Sequence, residues 1–221
     1  NVGQEGKTVL FVSHNMKAIE QLCTSVLLLE CGSVKDSGRE IRKVLKDYLG
    51  TNEGNTGMSQ WQKSDGRYNN EWFSPSKMTI TDIEGNLLQS PYGNDTEAWI
   101  SIEGEISAMD AALQIGYAIY DADGQLLYWT CHTDDEESNW VQLHKGHNAI
   151  RSRLPRRLLN EGIYRIEMLV ALYSRMWLIK PGENAPAISI EIQGGLSKSP
   201  YWMIRRPGGL APVIEWELSN N

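Results

Sequence analysis

This 221-residue sequence has few cysteines, few phenylalanines and fewer basic than acidic residues. Its three cysteines are odd in number and lack the spacing of metal ligands, which predicts reduced thiols and no metal site. The 21 Lys and Arg against 28 Asp and Glu leave a net charge of −7. Because affinity for nucleic-acid phosphates depends on an excess of Lys and Arg, the composition argues against a nucleic-acid partner.

Long apolar runs and a signal peptide are also missing from the sequence. No stretch approaches the about 20 apolar residues that a membrane-spanning helix needs, and the N-terminus lacks the regions of a secretion signal. We therefore expect a soluble cytoplasmic protein, and its length corresponds to one or two domains.

What the sequence does contain near its start is an apolar run followed by polar residues. Residues 9–12 show no alternation, which predicts a strand buried on both faces, as in a parallel α/β sheet. Ser13, His14 and Asn15 follow at its carboxyl end, where open α/β sheets bind ligands. They are therefore candidate site residues, although a structural loop histidine fits the same residues.

The next segments predict further α/β structure. A helix is expected over residues 16–23 and a strand over residues 26–30, followed by a hairpin turn at 31–34. A second helix is expected to end at Gly50. Its apolar side consists of Ile41, Val44, Leu45, Tyr48 and Leu49.

The order of these segments in residues 6–50 resembles the last part of an ABC-transporter ATPase domain. The resemblance is carried by GKTVLFVSHNMKAIEQLC and LLLECGSV. It implies that His14 is the switch histidine that reaches the γ-phosphate of ATP in an intact ATPase, together with Mg²⁺. ATP and Mg²⁺ would then be cofactors of the parent protein, and no cofactor is expected for this fragment.

The other ATP-binding motifs do not occur in the 221 residues. There is no G-x-x-x-x-G-K-[ST] loop, and no apolar strand ends in paired acidic residues. Gly6-Lys7-Thr8 lacks the upstream glycine and precedes a strand, whereas a P-loop precedes a helix. We therefore expect residues 1–50 to be the C-terminal fragment of an ATPase domain, without enzymatic activity in the chain as it stands.

Residues 51–76 are predicted to be a linker to a second domain at 77–221. The linker is polar and rich in Gly and Asn, and beyond it short β-type runs recur between turns such as 121–125. About eight strands predict an antiparallel β-sandwich of Ig-like or jelly-roll type. They are expected at 78–82, 98–106, 113–121, 125–131, 148–154, 164–173, 187–192 and 213–218.

Alternation along these strands separates core residues from outward residues. Tyr164, two residues after Gly162, is expected to turn inward as a tyrosine corner. The outward set includes Trp99, Glu103, Tyr120, Arg165, Glu167 and Tyr173. The predicted core set is Ile100, Ile102, Ile106, Ile115, Tyr117, Ile119, Tyr164, Ile166, Met168, Val170, Ile188, Ile190 and Ile192.

Aromatic residues supply the evidence for a ligand. Eight Trp and nine Tyr accompany only two Phe, and Trp and Tyr are favoured where one ring edge is wet. Any single tryptophan fits a half-buried structural role, but the excess favours a surface that binds a polar ligand such as a sugar. Trp129 is the preferred carbohydrate-binding residue, beside the small residues Gly116 and Ala118, if Tyr128 faces the core. Its expected companions are Tyr120, Arg165, Glu167 and Tyr173.

The combination of ATPase-like segment, linker and sandwich resembles the nucleotide-binding subunit of O-antigen-type polysaccharide ABC exporters. The second domain carries the resemblance through DIEGN, IYDADGQLLYWTCHTD, LPRRLLNEGIYRIEMLVAL and PVIEWEL. It implies that the sandwich binds the modified non-reducing end of a lipid-linked polysaccharide and couples it to ATP-driven export through a membrane permease. It also implies a place on the cytoplasmic face of the inner membrane, and a homodimer that exchanges the C-terminal strand after Gly208-Gly209.

Two other functions stay open at this point. The sandwich could be a stand-alone lectin-like module or a glycoside hydrolase, although no two carboxylates are marked for hydrolysis. His144-x-x-His147 fits a turn better than a metal site. The acidic residues 134–137 fit a solvated loop better than a calcium site.

Overall fold

The computed structural model describes residues 9–12, 19, 22–30, 32–41, 44, 59–194, 201 and 206–219. Residues 1–56 and 122–125 form one compact unit, and residues 57–121 and 126–221 form a second. Within the described part of the chain, no helix is long and apolar enough to cross a membrane.

The first unit contains the predicted antiparallel hairpin. Strand β1 (Val26–Glu30) pairs with β2 (Ser33–Gly38). Gly32 in the turn between them has φ 79°, a left-handed conformation that glycine adopts without steric cost. Both the strand and the turn were expected from the sequence.

Helical residues of the first unit pack beside this hairpin. Ile19 and Leu22 have helical backbone, and the Cys23 N–H donates to the Ile19 carbonyl at 3.0 Å. Ile41 and Val44 are helical as well. Among the described members of the two predicted helices, Ile19, Leu22, Ile41 and Val44 therefore have the predicted conformation, whereas Cys23 is not helical. Ile19 is buried against Cys23, Val26 and Ile41.

The predicted buried strand at residues 9–12 is wrong for this structure. These residues are in no strand, and Leu10 and Val12 are 86% and 88% exposed. A strand buried on both faces needs hydrogen-bonded neighbouring strands and a layer packed on each face, and none of the described strands pairs with these residues. His14, with its neighbours Ser13 and Asn15, lies outside the described residues.

The second unit is an antiparallel β-sandwich, as the sequence predicts. Its strands are β3 (Gln60–Gln62), β4 (Ser74–Thr81), β5 (Ala98–Ile106), β6 (Leu113–Tyr120), β7 (Leu126–Cys131), β8 (Gly146–Leu154), β9 (Gly162–Leu172), β10 (Met176–Ile179) and β11 (Ala187–Ile192). One sheet has the order β3-β4-β5-β8. The other has the order β10-β9-β6-β7, and β11 also pairs with β9. All of these pairs are antiparallel.

The core lies between the two sheets and contains the predicted inward residues. Tyr164 is 1% exposed, and its hydroxyl lies 2.9 Å from the carbonyls of Asn160 and Gly209, which confirms the predicted tyrosine corner. The other predicted core residues are also buried: Ile100, Ile102, Ile106, Ile115, Tyr117, Ile119, Ile166, Met168, Val170, Ile188, Ile190 and Ile192. Burial of each large side chain contributes on the order of 2 kcal/mol, so the sandwich has a substantial core.

The sandwich begins earlier in the sequence than predicted. Strand β3 falls inside the expected linker and pairs with β4 through Trp61 and Met78. Phe73 is 1% exposed, and Trp61 and Trp72 pack against the core. The apolar residues of this region are isolated among polar and glycine residues, so they show neither helical nor strand periodicity.

The predicted C-terminal strand is wrong for the described chain. Residues 211–219 belong to no strand, and Trp216 and Leu218 are 93% and 94% exposed. The segment just before them is anchored, because the Asn160 side-chain amide donates to the Gly208 carbonyl at 2.7 Å. An alternating apolar sequence becomes a strand only where a neighbouring strand offers hydrogen bonds, and no described strand does so here.

Candidate functional site

The outward side of β6, β7, β9 and β10, here called the tryptophan face, carries most of the predicted site residues. Trp129 on β7 lies opposite Ala118 on β6, and Ala118 lies opposite Glu167 on β9. Tyr120 lies opposite Arg165 at the next outward position. Because alternate residues of a strand share one face, the register brings these four predicted site residues to the same side of one sheet.

Two tryptophan rings meet on this face. Trp129 is 55% exposed and Trp177, on β10, is 42% exposed. Their ring centroids are 6.1 Å apart and their planes are inclined at 49°. Tyr128 packs against the core, as expected for the inward neighbour of Trp129. The pair therefore presents aromatic surface to solvent from a rigid sheet.

Small and apolar residues form the floor of the tryptophan face. Ala118 and Leu169 occupy outward positions, yet they are 0% and 2% exposed. An outward position is buried when larger side chains of the same face cover it, and the aromatic pair lies on that face. The sequence predicted open room for a sugar ring above Ala118. In the structure Ala118 itself is 0% exposed, so the exposed surface of this face that a sugar could stack on is that of the tryptophan rings.

Gly116 allows β6 and β7 to approach each other closely beside Trp129. A Cβ atom at this position would lie 1.9 Å from the Thr130 carbonyl oxygen and 2.8 Å from the Cys131 Cα. Both atoms belong to the main chain that follows Trp129 on β7. A side chain at position 116 would therefore displace the strand that positions the tryptophan.

Glu167 lies on the outward side of β9 but is only 3% exposed. One carboxylate oxygen lies 2.8 Å from the Arg165 Nη2, and the other accepts the Gly182 N–H at 2.5 Å. Gly182 belongs to the loop between β10 and β11 and has φ 83°. The carboxylate therefore fastens this loop to the sheet and orients Arg165. With both oxygens engaged, Glu167 is a positioning residue rather than a contact for a ligand.

Tyr120 lies beside this ion pair. A Cβ atom on Gly182 would lie 3.9 Å from the Tyr120 hydroxyl, so the loop and the phenol are close. Burial, together with the negative charge of Glu167, raises the pKa of Tyr120. The phenol thus stays protonated at neutral pH and can donate a hydrogen bond.

Tyr173 lies at the other end of the sheet from these residues. Its N–H donates to the Ala112 carbonyl at 2.8 Å. Leu172, its neighbour, is seven residues along β9 from Arg165, which corresponds to roughly 24 Å at about 3.4 Å per residue. Tyr173 is 66% exposed, but the fold does not group it with the other predicted site residues.

Sequence reasoning missed Trp177 because a β-bulge interrupts its strand. Trp177 lies opposite Ala171 and Ile179 lies opposite Val170, with a register shift between the two pairs. Strict alternation would place Trp177 and Ile179 on the same side, whereas Ile179 is buried and Trp177 is exposed. The only sequence signal for this position was Trp177 itself, because the four-residue strand Met176–Ile179 is too short to show a period.

A cavity of about 120 Å³ lies on the inward side of β6 and β7, away from the tryptophan face. Apolar residues such as Ile102 and Ile150 line it together with His132. The Ile115 N–H donates to the His132 Nδ1 at 3.1 Å, and burial lowers the pKa of His132. The lowered pKa favours the neutral imidazole, whose Nδ1 also lies 3.2 Å from the Ile115 carbonyl oxygen.

The two other sequence features are structural in the described chain. Asn148 closes the turn at His144, where its Oδ1 accepts the His144 N–H at 3.0 Å and its Nδ2 donates to the His144 carbonyl at 2.7 Å. Asp134 accepts the Cys131 N–H at 2.8 Å. Among the described residues, no three His, Cys, Asp or Glu side chains are placed to hold a metal.

Solved structures include neighbours of this chain. The crystal structure of the C-terminal domain of wzt covers 79% of this chain and 96% of its own, with 13% identity and a TM-score of 0.46. No family model matches the chain.

Two curated proteins match a short segment of the chain. The teichoic acids export ATP-binding protein TagH of Staphylococcus saprophyticus is 44% identical over 45 residues, which is 20% of this chain and 17% of that protein. TagH of Staphylococcus epidermidis is 43% identical over 42 residues, 19% of this chain and 16% of that protein. The matched segment thus spans about a sixth of each relative. These matches confirm the resemblance predicted from the sequence: the chain is similar to ATP-binding subunits of ABC-type export systems.

Proposed function

We propose that this chain is the glycan-recognition part of an ABC exporter subunit. The observation that carries the proposal is the exposed pair of Trp129 and Trp177 on the tryptophan face. The C–H side of a pyranose ring is apolar and stacks on an indole ring, while nearby donors bind its hydroxyl groups. Tyr120 and Arg165 provide such donors on the same face.

The site is held in place before a ligand arrives. The register with β6 and the close approach at Gly116 position Trp129, and Glu167 orients Arg165. Side chains that are already ordered lose little conformational entropy on binding. This arrangement favours recognition of a defined sugar terminus over loose adhesion to many surfaces.

The same geometry favours binding over glycoside hydrolysis. A glycosidase needs two carboxyl groups that are free to act as acid and as base or nucleophile. Glu167, the carboxylate in register with Trp129, has both oxygens engaged by Arg165 and Gly182. It would have to break these contacts before it could transfer a proton or attack a sugar.

The proposed ligand is the modified non-reducing terminus of a lipid-linked polysaccharide of O-antigen type. Support comes from the resemblance in sequence and from relatives whose name concerns teichoic acids export. Binding would be coupled to transport by a membrane permease on the cytoplasmic face of the inner membrane. ATP and Mg²⁺ would act in the intact parent protein, where His14 reaches the γ-phosphate.

We also propose a homodimer in which C-terminal segments are exchanged. Ile214, Trp216 and Leu218 alternate with polar or smaller residues and are 66%, 93% and 94% exposed. Such a sequence gains hydrogen bonds and apolar contacts if it adds to a sheet edge of a second copy. The anchor at Gly208 would mark where the segment leaves its own sandwich.

Calorimetric titration of the 221-residue chain tests the function. The ligands are a terminally modified surface polysaccharide and the same polysaccharide without its terminal modification. The proposal expects binding of the modified form, at least about tenfold weaker binding of the unmodified form, and no release of sugar. Equal affinity for both forms would favour a stand-alone lectin-like module, and release of sugar would establish a hydrolase; either result contradicts the proposal.

A further inference from the structure

A row of arginines lies along β8, the edge strand of the sheet opposite the tryptophan face. Arg151 and Arg153 occupy alternate outward positions on β8, and Arg156 follows in the turn after it. All three side chains are exposed. In the sheet order β3-β4-β5-β8, this strand is the last member among the described residues. These three residues are named the arginine edge.

The arginine edge has no carboxylate partner in the part of the chain that the structure describes. Among the described residues, no carboxylate lies within 4.0 Å of its three guanidinium groups. Elsewhere in the sandwich Arg67, Arg165 and Arg175 are each paired with a carboxylate. In a chain with a net charge of −7, a run of arginines without acidic partners among the described residues is suited to an anionic ligand.

Neutral groups hold two of these arginines in place. The Arg151 guanidinium lies 4.5 Å from the centroid of the Trp99 ring, and its Nη1 donates to the Ile83 carbonyl at 3.2 Å. The Arg156 Nε donates to the Asp95 carbonyl at 2.7 Å. A ring face and two carbonyls order the side chains but leave their positive charge available. The edge is therefore prearranged for an anion.

We propose that the arginine edge binds anionic groups, of the phosphate class, along a polysaccharide chain. Guanidinium forks match the oxygens of phosphate and keep their charge at all physiological pH values. Arg151 and Arg153 are two residues apart on one strand face, about 7 Å, so they can contact neighbouring anionic groups of one extended chain. The inference rests on the proposed function in one respect, that the ligand is a polysaccharide, but it uses the opposite sheet from the tryptophan face.

A different reading gives the arginines a purely protective role. Charged side chains on an edge strand hinder pairing with another chain and so prevent aggregation. That role requires no ligand. It predicts that loss of the arginines promotes aggregation and leaves binding of anionic glycans unchanged, which separates it from the proposal by experiment.

The test compares phosphorylated dextran with unmodified dextran of the same length, titrated into the full chain at several salt concentrations. The proposal expects binding of the phosphorylated form only. The double variant Arg151→Gln/Arg153→Gln should bind about tenfold more weakly, with a salt dependence reduced by about one unit of slope per arginine. The control variant Arg67→Gln/Arg175→Gln loses the same charge on other surfaces and should keep its affinity within about twofold.

A single arginine variant replaces the double variant if the latter does not fold, and two results would overturn the proposal. If the double variant fails to fold, Arg153→Gln alone, which leaves the contact with Trp99 intact, should show about half of the change in slope. Equal losses in the edge and control variants would overturn the proposal, as would duplex DNA that binds as tightly with the same arginine dependence. Terminus recognition is measured separately with the terminally modified polysaccharide, so its failure is distinguishable from failure of phosphorylated dextran to bind at the arginine edge.

Discussion

The two outward faces of the sandwich share a backbone geometry but differ in chemistry. On the tryptophan face, two exposed indole rings meet on the same side of the sheet as buried small residues such as Ala118. On the outward side of β4, β5 and β8, here the charged face, Glu103 lies 3.3 Å from Lys77 and 3.9 Å from His147. Stacking on a fixed apolar platform is insensitive to salt, whereas contacts between exposed charges are screened. The first face suits a sugar ring and the second suits charged groups.

The comparison also shows that an outward tryptophan is not by itself a binding site. Trp99 on the charged face is covered by the Arg151 guanidinium at 4.5 Å. Trp129 on the tryptophan face meets another indole and stays 55% exposed. Both residues alternate outward in their strands, so the neighbouring side chain decides whether a ring is available.

The largest expected effect is that of Gly116→Ala on the tryptophan face. The new methyl group would overlap the main chain of β7, and we expect a loss of at least about 3 kcal/mol in the free energy of unfolding. Urea denaturation followed by circular dichroism measures it. Gly66→Ala, whose Cβ would meet its nearest atom at 3.6 Å, is the matched control. Equal stability of the two variants would contradict the described approach of β6 and β7.

A Glu→Gln substitution should cost a different amount of unfolding free energy on each of the two faces. Glu167→Gln leaves Arg165 without its buried partner and should cost about 2 kcal/mol of unfolding free energy. Glu103→Gln removes a carboxylate from the partly exposed pair with Lys77 and should cost less than about 0.5 kcal/mol. Chemical denaturation of both variants provides the comparison. A cost for Glu103→Gln equal to or larger than that for Glu167→Gln would show that the contrast between the faces is wrong.

His132, between the two sheets, should make stability depend on pH. Burial lowers the pKa of His132 below its ordinary value of 6.5, so the unfolded chain binds more protons just below that pH. Stability should therefore decrease as the pH falls from about 7 to about 5. His132→Gln should show a smaller decrease in unfolding free energy over this interval. Identical pH dependence in both proteins would place the imidazole in solvent.

The smallest effect on stability is expected from removal of residues 212–221. Their described members contact little of the sandwich, so the monomer measured at low concentration should change by less than about 0.5 kcal/mol. The proposed homodimer, measured by light scattering at high concentration, should become a monomer. A truncated chain that remains dimeric would refute the exchange of C-terminal segments.

Much of the sandwich could be predicted because alternation reports which face of a strand is buried. In β9, Ile166, Met168 and Val170 are buried as the period of two requires. Alternation does not identify the partner of a strand. For this reason it predicted a strand containing Trp216, although no described strand pairs with that segment. It also missed β3, where Trp61 is the single apolar residue.

The candidate site was predictable only in part. Trp129, Tyr120 and Arg165 followed from the outward faces of their strands, and the observed register brings the three residues to one side of the same sheet. Trp177 required knowledge of a β-bulge, and the burial of Glu167 required the loop at Gly182. The β-bulge interrupts the period of two, and the loop at Gly182 is a contact between segments distant in sequence. Neither leaves a local signal in the sequence. Tyr173 shared a predicted face with the others but lies too far along the sheet.

The most direct test of the central claim is the affinity of three single variants for the terminally modified polysaccharide. Trp129→Ala and Trp177→Ala should each bind at least about tenfold more weakly, since each removes one ring of the stacking surface. Tyr173→Ala, which removes a 66% exposed ring six residues beyond Glu167, the β9 residue in register with Trp129, should bind like the unmodified chain. Unchanged affinity in both tryptophan variants, or a loss confined to Tyr173→Ala, would contradict the assignment of sugar binding to the tryptophan face.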